Sequence, residues 1–541
     1  MKTLITTLNS KFIHTSLSLR LLYVATKDQH DVSFKEYTIK DNEEHIANDL
    51  LSMNLDVIAF SCYIWNIDHI LEICQMLKQY APHLIIILGG PEVTYEAQHF
   101  LKYDAIDYVI SGEGEIVFGE LLSALEKKEK VDIEGASDKT HISPVVATVD
   151  LDYIESLDSP YNLPEDQKTM AQRIIYFESS RGCPFQCQYC LSSLEKGLRF
   201  FSEEYLKKQL DIICHSQAKI IKFLDRSFNA RVNHALMILG YIFENYREGQ
   251  QYQFEINADV LQQPIIDFIR DYAPKGLLRF EIGIQSTYEP TNKAVKRIQN
   301  FERLSTVVKQ LMDDGKCDLH LDLIAGLPYE TYERFQQSFD DVFAFRAKEL
   351  QLGFLKLLRG TNLRKDADEY GYIYQNEPPY EMIENKWLSQ DDVKKIHLAE
   401  DMLEKYWNSG RFTKTMKCVM EEVDSAFDFF YQLGCFYQDH QYKTIGYQLD
   451  ELYCYLDNYL NSQEKHELLI QDYLSQFKVK PKKWYKQTLT TQERKDAIRY
   501  LVDKYSLNQE LLFRYAIVEK ISLGYLVVIY KDYQCDMNIY Q

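Results

Sequence analysis

Residues 1–145 alternate short apolar runs with amphipathic stretches of helical period. Thr3–Thr7 reads as a first strand and Ser16–Thr26 as the helix after it. Val57–Ser61 (VIAFS) is a second strand, followed by apolar positions at helical spacing through Ile67–Tyr80. Leu84–Leu88 is a third and runs into Gly89-Gly90-Pro91, and Tyr108–Ile110 is a fourth that runs into Ser111-Gly112-Glu113-Gly114. Strands alternating with helices form βαβ units, and their sheet is parallel. Such sheets present ligands at the carboxyl ends of their strands, where these glycine-rich loops fall. The pattern predicts a doubly wound, Rossmann-like α/β domain with a ligand crevice.

Residues 130–150 are weakly periodic and suit a connector, and Leu157-Asp158-Ser159-Pro160 is a turn. From Ile174 the alternation resumes, with strand-like runs at Ile174–Glu178, Ile220–Leu224, Gln253–Ile256, Leu278–Ile282 and His320–Ile324 separated by long helical patterns. That order suits a full or partial (β/α) barrel of the TIM type. After about Gly360 the character changes. Residues 365–515 are rich in Tyr, Lys, Glu and Leu at helical spacing, and Ile517–Tyr530 is a β-branched stretch suited to a hairpin or edge strands. The aromatic positions Tyr406, Trp407, Phe427, Phe429, Phe430 and Tyr431 read as core, and the basic runs Lys480–Lys483 and Arg494-Lys495 as solvated surface. The predicted division is a Rossmann-like domain over 1–145, a linker over 146–172, a barrel domain over 173–362 and a mostly helical domain over 363–541.

A chain of 541 residues has room for about three domains, and with 46% apolar and 26% charged residues each can bury a core. Lys+Arg total 61 against 81 Asp+Glu, a net charge of −20. A surface this acidic repels phosphate backbones, so nucleic acid is a disfavoured partner. No apolar run approaches the ~20 residues that span a bilayer. Met1–Ile5 meets Asn9-Ser10-Lys11 too soon for a secretory apolar segment. Eleven cysteines without such a segment predict a reducing, cytoplasmic setting in which clustered thiols are metal ligands rather than disulfides.

The sharpest chemical signal is Ser180-Arg181-Gly182-Cys183-Pro184-Phe185-Gln186-Cys187-Gln188-Tyr189-Cys190. Its Cys-x3-Cys-x2-Cys spacing follows directly on a strand, so the cysteines fall on a loop at the carboxyl end of a barrel strand. Three thiolates hold three irons of a cubane 4Fe-4S cluster and leave the fourth open to a ligand. The alternative, zinc, wants a fourth protein ligand, and none lies at a natural spacing. The other cysteines are scattered and read as small buried hydrophobes. Cys183, Cys187 and Cys190, with Tyr189 before the third, resemble the cluster motif of radical S-adenosylmethionine (SAM) enzymes. The resemblance implies that the amino and carboxylate groups of SAM chelate the open iron. It implies too that one-electron reduction cleaves the C5′–S bond to methionine and a 5′-deoxyadenosyl radical, drawing on an electron donor of the flavodoxin or ferredoxin type.

Later strands carry the same resemblance, in order, over about residues 173–360. Phe254–Asp259 resembles the fourth-strand motif, whose glutamate, here Glu255, contacts the SAM ribose. Phe280–Ser286 resembles the E-x-G-x-Q-S strand, with Gln285 at its SAM-contacting glutamine, and Arg297 lies where that subgroup carries an arginine near the SAM carboxylate. Leu321–Pro328 resembles the D-L-I-x-G-L-P strand, whose aspartate, here Asp322, reaches SAM. The chemistry agrees, since a ribose diol wants carboxylate acceptors and a carboxylate wants a guanidinium. One strand departs: Phe223–Asn229 stands where many members have Gly-Gly-Glu, which leaves Asp225 as its acidic SAM-side residue.

The first domain resembles the cobalamin-binding domain that precedes this barrel in one large subgroup, on Leu8–His14, Ser61–Asn66, Leu88–Val93 and Ser111–Glu115. The resemblance implies cobalamin contacts from Asn9, Ser10, His14, Ser61, Tyr63, Trp65, Gly89, Gly90, Pro91, Glu92, Gly112, Glu113, Gly114 and Glu115. The glycines would allow close backbone approach to the ligand, and Glu113 and Glu115 would accept from its ribose or amide groups. The Asp-x-His-x-x-Gly signature that supplies a histidine to cobalt elsewhere is absent, and Tyr63 and Trp65 are the candidates for the lower face. The last segment, from about residue 365, resembles the helical extension of the DUF4080 branch and carries no chemical motif.

Together these features predict a cobalamin-dependent radical SAM enzyme with three cofactors: 4Fe-4S cluster, SAM and cobalamin. One SAM methylates the cobalt, a second is cleaved, and an unactivated carbon of a small-molecule or peptide substrate takes the methyl group. The alternatives are radical chemistry without methylation (rearrangement, ring contraction or cyclisation), a first domain that binds no corrinoid, and a non-catalytic iron–sulfur sensor. A sensor needs only the three thiolates, so the set of SAM positions argues against it.

Overall fold

The computed structural model describes residues 1–195 and 197–541. The chain divides into two compact units, Met1–Phe335 with Gln351–Gln390, and Gln336–Leu350 with Asp391–Gln541.

The first sheet holds β1 (Thr3–Asn9), β2 (Val32–Thr38), β3 (Val57–Ser61), β4 (Ile85–Gly89), β5 (Tyr108–Ile110) and β6 (Ala136–Asp138) in the order β2-β1-β3-β4-β5-β6. Only the β5–β6 pair is antiparallel. The chain leaves β1 for β2 on one side and returns to β3 on the other, so the crevice of a doubly wound sheet opens between the ends of β1 and β3. Side chains alternate between two helix-covered faces. Leu4, Leu8, Ile58, Phe60, Ile86 and Leu88 meet the helices Glu43–Ser52 and Ile67–Tyr80, while Ile5, Val57, Ala59 and Ile87 meet Leu17–Thr26 and Val117–Lys127. The four expected strands are present. β2 is an additional edge strand whose charged Lys35 and Glu36 interrupt its apolar signal, and β6 lies inside the expected connector.

The second sheet contains β7 (Ile174–Phe177), β10 (Ile220–Phe223), β11 (Gln251–Ile256), β12 (Leu278–Gln285), β13 (Cys317–Ala325) and β14 (Glu349–Phe354) in the order β14-β13-β12-β11-β10-β7. Between β7 and β10, β8 (Ser180–Gly182) and β9 (Leu198–Phe200) form their own antiparallel ribbon. Six strands give a partial barrel, one more than the five expected. Its outer face is apolar: Phe177, Phe223, Tyr252, Phe280, Ile282 and Leu321 are fully buried. The inner positions between them are mostly polar and half-buried. Further on, β15 (Ile373–Tyr374) pairs antiparallel with β16 (Met382–Glu384) in a stretch expected to be helical, around Pro378-Pro379, whose rings deny a helix its N–H donors.

The second unit is mostly helical from Asp391 to Tyr515 and ends in an antiparallel sheet of β17 (Ala516–Ile521), β18 (Gly524–Lys531) and β19 (Gln534–Tyr540). The expected hairpin therefore gains a third strand. Tyr406, Phe427, Phe429 and Phe430 are core as expected. The basic residues are not simply solvated: Lys480 and Arg494 donate to the Ala516 carbonyl, and Lys483 pairs with the buried Glu519. Among the described residues no helix is long and apolar enough to cross a membrane.

Candidate functional site

The cysteine loop leaves β7 and is closed at its base by the β8–β9 ribbon. Gly182, next to Cys183, has φ +91°, and a Cβ there would lie 2.1 Å from the Gly197 carbonyl oxygen. Only glycine fits that approach. We expect Gly182→Ala to spring the loop open, so that a thiol reagent modifies Cys183, Cys187 and Cys190 of the apo protein about tenfold faster or more; an unchanged rate would mean the ribbon does not gate the loop.

Asp225, at the end of β10, ties this loop to the sheet. It is 1% exposed and accepts from the Ser179 amide at 3.0 Å, the Ser179 hydroxyl at 2.6 Å and the Ser180 hydroxyl at 2.5 Å. Burial pushes its pKa up to about 6 against these donors. The placement of Asp225 as a SAM contact is thus corrected: its oxygens are turned into the protein and spent on the cluster strand. The neighbour the sequence reading passed over, Arg226, is half-exposed and lies 3.1 Å from Glu255.

Arg297 donates to the Gly283 carbonyl and to the Tyr189 hydroxyl at 3.4 Å, and its Nη1 lies 3.9 Å from Cys187 Sγ. Gln285 adopts φ +69°, and its amide folds back across Gly283, where a Cβ would stand 2.4 Å from Nε2. Its Oε1 is buried and has no hydrogen-bond partner. Asp322, on β13, lies 3.1 Å from His320 Nε2. Burial opposes charge on His320, but the hydrogen bond and charge of Asp322 outweigh it and raise the pKa. All eleven cysteines are unpaired. Among the described residues no three His, Cys, Asp or Glu side chains converge on a single-ion site. Three free thiols on one loop, with the Arg297 guanidinium beside Cys187 and one orphan amide oxygen nearby, suit an anionic cluster that keeps one position for a ligand.

At the first domain's crevice, Asn66 is fully buried. Its side chain donates to Thr7 Oγ1 and to the Leu8 and Ser61 carbonyls, and accepts from the Tyr63 amide, pinning the loop after β3. Tyr63 and Trp65 stack at 4.4 Å with Trp65 44% exposed, while Phe12 in the β1 loop, 50% exposed, lies under the Arg173 guanidinium. The Tyr63–Trp65 stack is a flat, partly exposed aromatic surface. His14 commits Nδ1 to the Tyr176 hydroxyl at 2.7 Å, and burial together with nearby Lys11, Lys222 and Arg173 lowers its pKa. Asn9 donates to the His14 carbonyl and to Glu36, and Ser61 shares a hydrogen bond with Ser18. Ser10 is half-buried and Pro91 exposed.

Two expectations about the other crevice residues need correction. The glycines serve the chain's own backbone: a Cβ at Gly90 would meet Cys62 at 2.6 Å, and one at Gly112 would meet Ala147 at 2.3 Å. A Cβ at Gly114 would meet the Leu22 side chain, and Gly89 alone has room. The carboxylates are already engaged by barrel arginines. Glu113 pairs with Arg199 and accepts from the Val149 amide, Glu115 lies 2.7 Å from Arg181, and Glu92 accepts from Tyr380 and Arg359. Sequence reasoning had no signal for these pairs, since their partners stand 66 or more positions away.

Comparison with known proteins places these elements. The B12 binding domain model matches residues 3–122, the radical SAM superfamily model 177–342, and the DUF4080 model 368–531. The chain is 30% identical over 415 residues to the uncharacterized methyltransferase PH0819 of Pyrococcus horikoshii, covering 72% of this chain and 86% of that one. It is 25% identical over 340 residues to the cobalamin-dependent radical SAM methyltransferase TokK of Streptomyces tokunonensis, covering 58% of this chain but only about half (49%) of that relative's length. In fold it is similar to the cobalamin-dependent SAM radical enzyme OxsB, solved with aqua-cobalamin bound, at a TM-score of 0.62 and 14% identity over 94% of this chain and 82% of that one.

Proposed function

The chain belongs to the cobalamin-binding radical SAM family, and from that premise we propose that it is an enzyme that reductively cleaves SAM and transfers a methyl group to an unactivated carbon. The observation that carries the proposal is the strand-end cradle: three unpaired thiols on one loop with Arg297 Nη1 3.9 Å from Cys187 Sγ, beside the orphan Gln285 Oε1. Cys183, Cys187 and Cys190 would hold a 4Fe-4S cluster. When bound, the cluster delivers the electron that splits the C5′–S bond of SAM, and cobalamin carries the methyl group.

The protein's own share is positioning and exclusion of water. Arg297, fixed by the Gly283 carbonyl, presents a guanidinium for the SAM carboxylate. Glu255 accepts from Arg226 yet has lone pairs left for a ribose diol. Gln285 Oε1 awaits a donor, and Asp322 is held by His320. The Tyr63–Trp65 stack would support a corrin face, with His14 Nδ1 held by the Tyr176 hydroxyl. We divide the chain into a cobalamin-binding domain (1–145), a linker (146–172), a radical SAM core (173–362) and a helical domain (363–541), a division supported by the spans of the three family-model matches. The reductive step calls for a flavodoxin- or ferredoxin-type donor, and the unpaired cysteines support a reducing cytoplasmic setting.

An anaerobic absorption titration of the cluster-loaded protein with hydroxocobalamin tests the first domain's part. Saturable binding at about one corrinoid per chain is expected. No binding beside an intact cluster spectrum would remove cobalamin from the mechanism.

A further inference from the structure

The inner face of the second sheet carries more hydrogen-bonding groups than the SAM positions account for. Strand register sets Tyr176, Lys222, Gln253, Arg279 and Asp318 in one row across β7, β10, β11, β12 and β13. The next row toward the carboxyl ends holds Glu255, Glu281 and His320. Of these only Glu255 belongs to the SAM set. Lys222 Nζ lies 2.8 Å from Glu281, with side-chain exposures of 27% and 15%. The pair is therefore formed but still wet, in contrast to the fully buried apolar positions behind it.

The β7 end of this row is tied by the His14–Tyr176 hydrogen bond to the β1 loop, so it runs beneath the crevice of the first domain. On the methyl-transfer reading, this face, between the cysteine loop and the crevice, is where a group to be methylated would lie. A hydrocarbon laid there would strip water from Lys222 and Glu281 and return no hydrogen bond, which such pairs resist. Pockets for apolar ligands are lined by apolar side chains instead. Lys222 has three N–H donors and Glu281 has further lone pairs, so each can hold its partner and one ligand group of opposite sign together.

We infer that the substrate is a small hydrophilic zwitterion of amino-acid type, its carboxylate read by Lys222 and its ammonium by Glu281. This deepens the methyl-transfer reading and rests on it. The test supplies the holoenzyme, reduced with titanium(III) citrate, with methyl-tritiated SAM and a whole lysate of source cells lacking the gene; after chromatographic removal of SAM, products are partitioned between chloroform–methanol and water. Label in a small water-soluble product, retained by a cation exchanger in acid and an anion exchanger in base, is the expected result. Label in chloroform-soluble or nuclease-sensitive material overturns the substrate class and leaves methyl transfer standing. No transferred label, with 5′-deoxyadenosine still formed, defeats the methyl-transfer reading and this inference with it. Lys222→Met should raise the lysate concentration needed for half-maximal labelling about tenfold or more, with labelling recovered at higher lysate. A merely structural Lys222 would lower the plateau instead, and an unchanged curve overturns its assignment.

Discussion

Replacing Cys183, Cys187 and Cys190 together by alanine is expected to cut 5′-deoxyadenosine formation from SAM to below about one thousandth of the wild-type rate under anaerobic reducing conditions. The three thiols share one loop, none is spent in a disulfide, and no other cysteine stands among the residues that shape the loop. Their loss removes every sulfur donor there while leaving intact what folds the loop, namely Gly182 against Gly197 and Asp225 with Ser179 and Ser180. The triple variant should therefore keep its circular dichroism and its thermal midpoint. Deoxyadenosine that survives the triple change would sink the radical SAM assignment.

The second large effect is expected at Arg181, two residues before the first cysteine. Its guanidinium lies 2.7 Å from both Glu115 and Glu178 and 3.5 Å from Glu113, and its side chain is 9% exposed. Burial works against this charge, but the surrounding carboxylates outweigh it and hold Arg181 protonated. Burial raises the Glu178 pKa in turn, and without Arg181 that carboxylate and Glu115 would be left uncompensated. Arg181→Met should destabilise the protein by about 3–5 kcal/mol, the usual consequence of removing one partner from a buried ionic cluster. The readout is the thermal midpoint together with iron bound after reconstitution, and both should fall. Arg181→Lys, which keeps the charge but not the fork, should recover part of each. A midpoint unmoved by Arg181→Met would show that the cluster contributes nothing to stability.

The strand framework was legible because two local patterns survive in a single sequence: five of the six barrel strands alternate with period two, and four of the five parallel strands of the first sheet are short apolar runs, as strands covered on both faces require. Those missed are edge or short elements: β2 carries charges, β6 is three residues long, and β14 begins on a half-buried glutamate. The three cysteines were legible because a loop ligand set is local. Asp225 was misread because an acidic residue at a strand end gives the same sequence signal whether it faces a ligand or caps its own neighbours. Its burial and its serine donors appear only once β7 and β10 lie side by side.

By itself, the sequence carried the two parallel sheets, the local set of three cysteines, and the family resemblance from which the expectations at Glu255, Gln285, Arg297 and Asp322 follow. The sheets and the cysteine set rest on hydrophobic pattern and spacing within a few residues, which the chain carries before it folds, whereas the rim residues are what the family resemblance implies. Only the tertiary structure decided that Glu92, Glu113 and Glu115 meet arginines of the barrel, that Gly90 and Gly112 make room for the protein's own backbone, and that Lys222 and Glu281 form a wet ion pair on the inner face. Those outcomes depend on which charges and backbone atoms distant parts of the chain bring within hydrogen-bond reach. Reach of that kind is a property of packing and not of order along the chain.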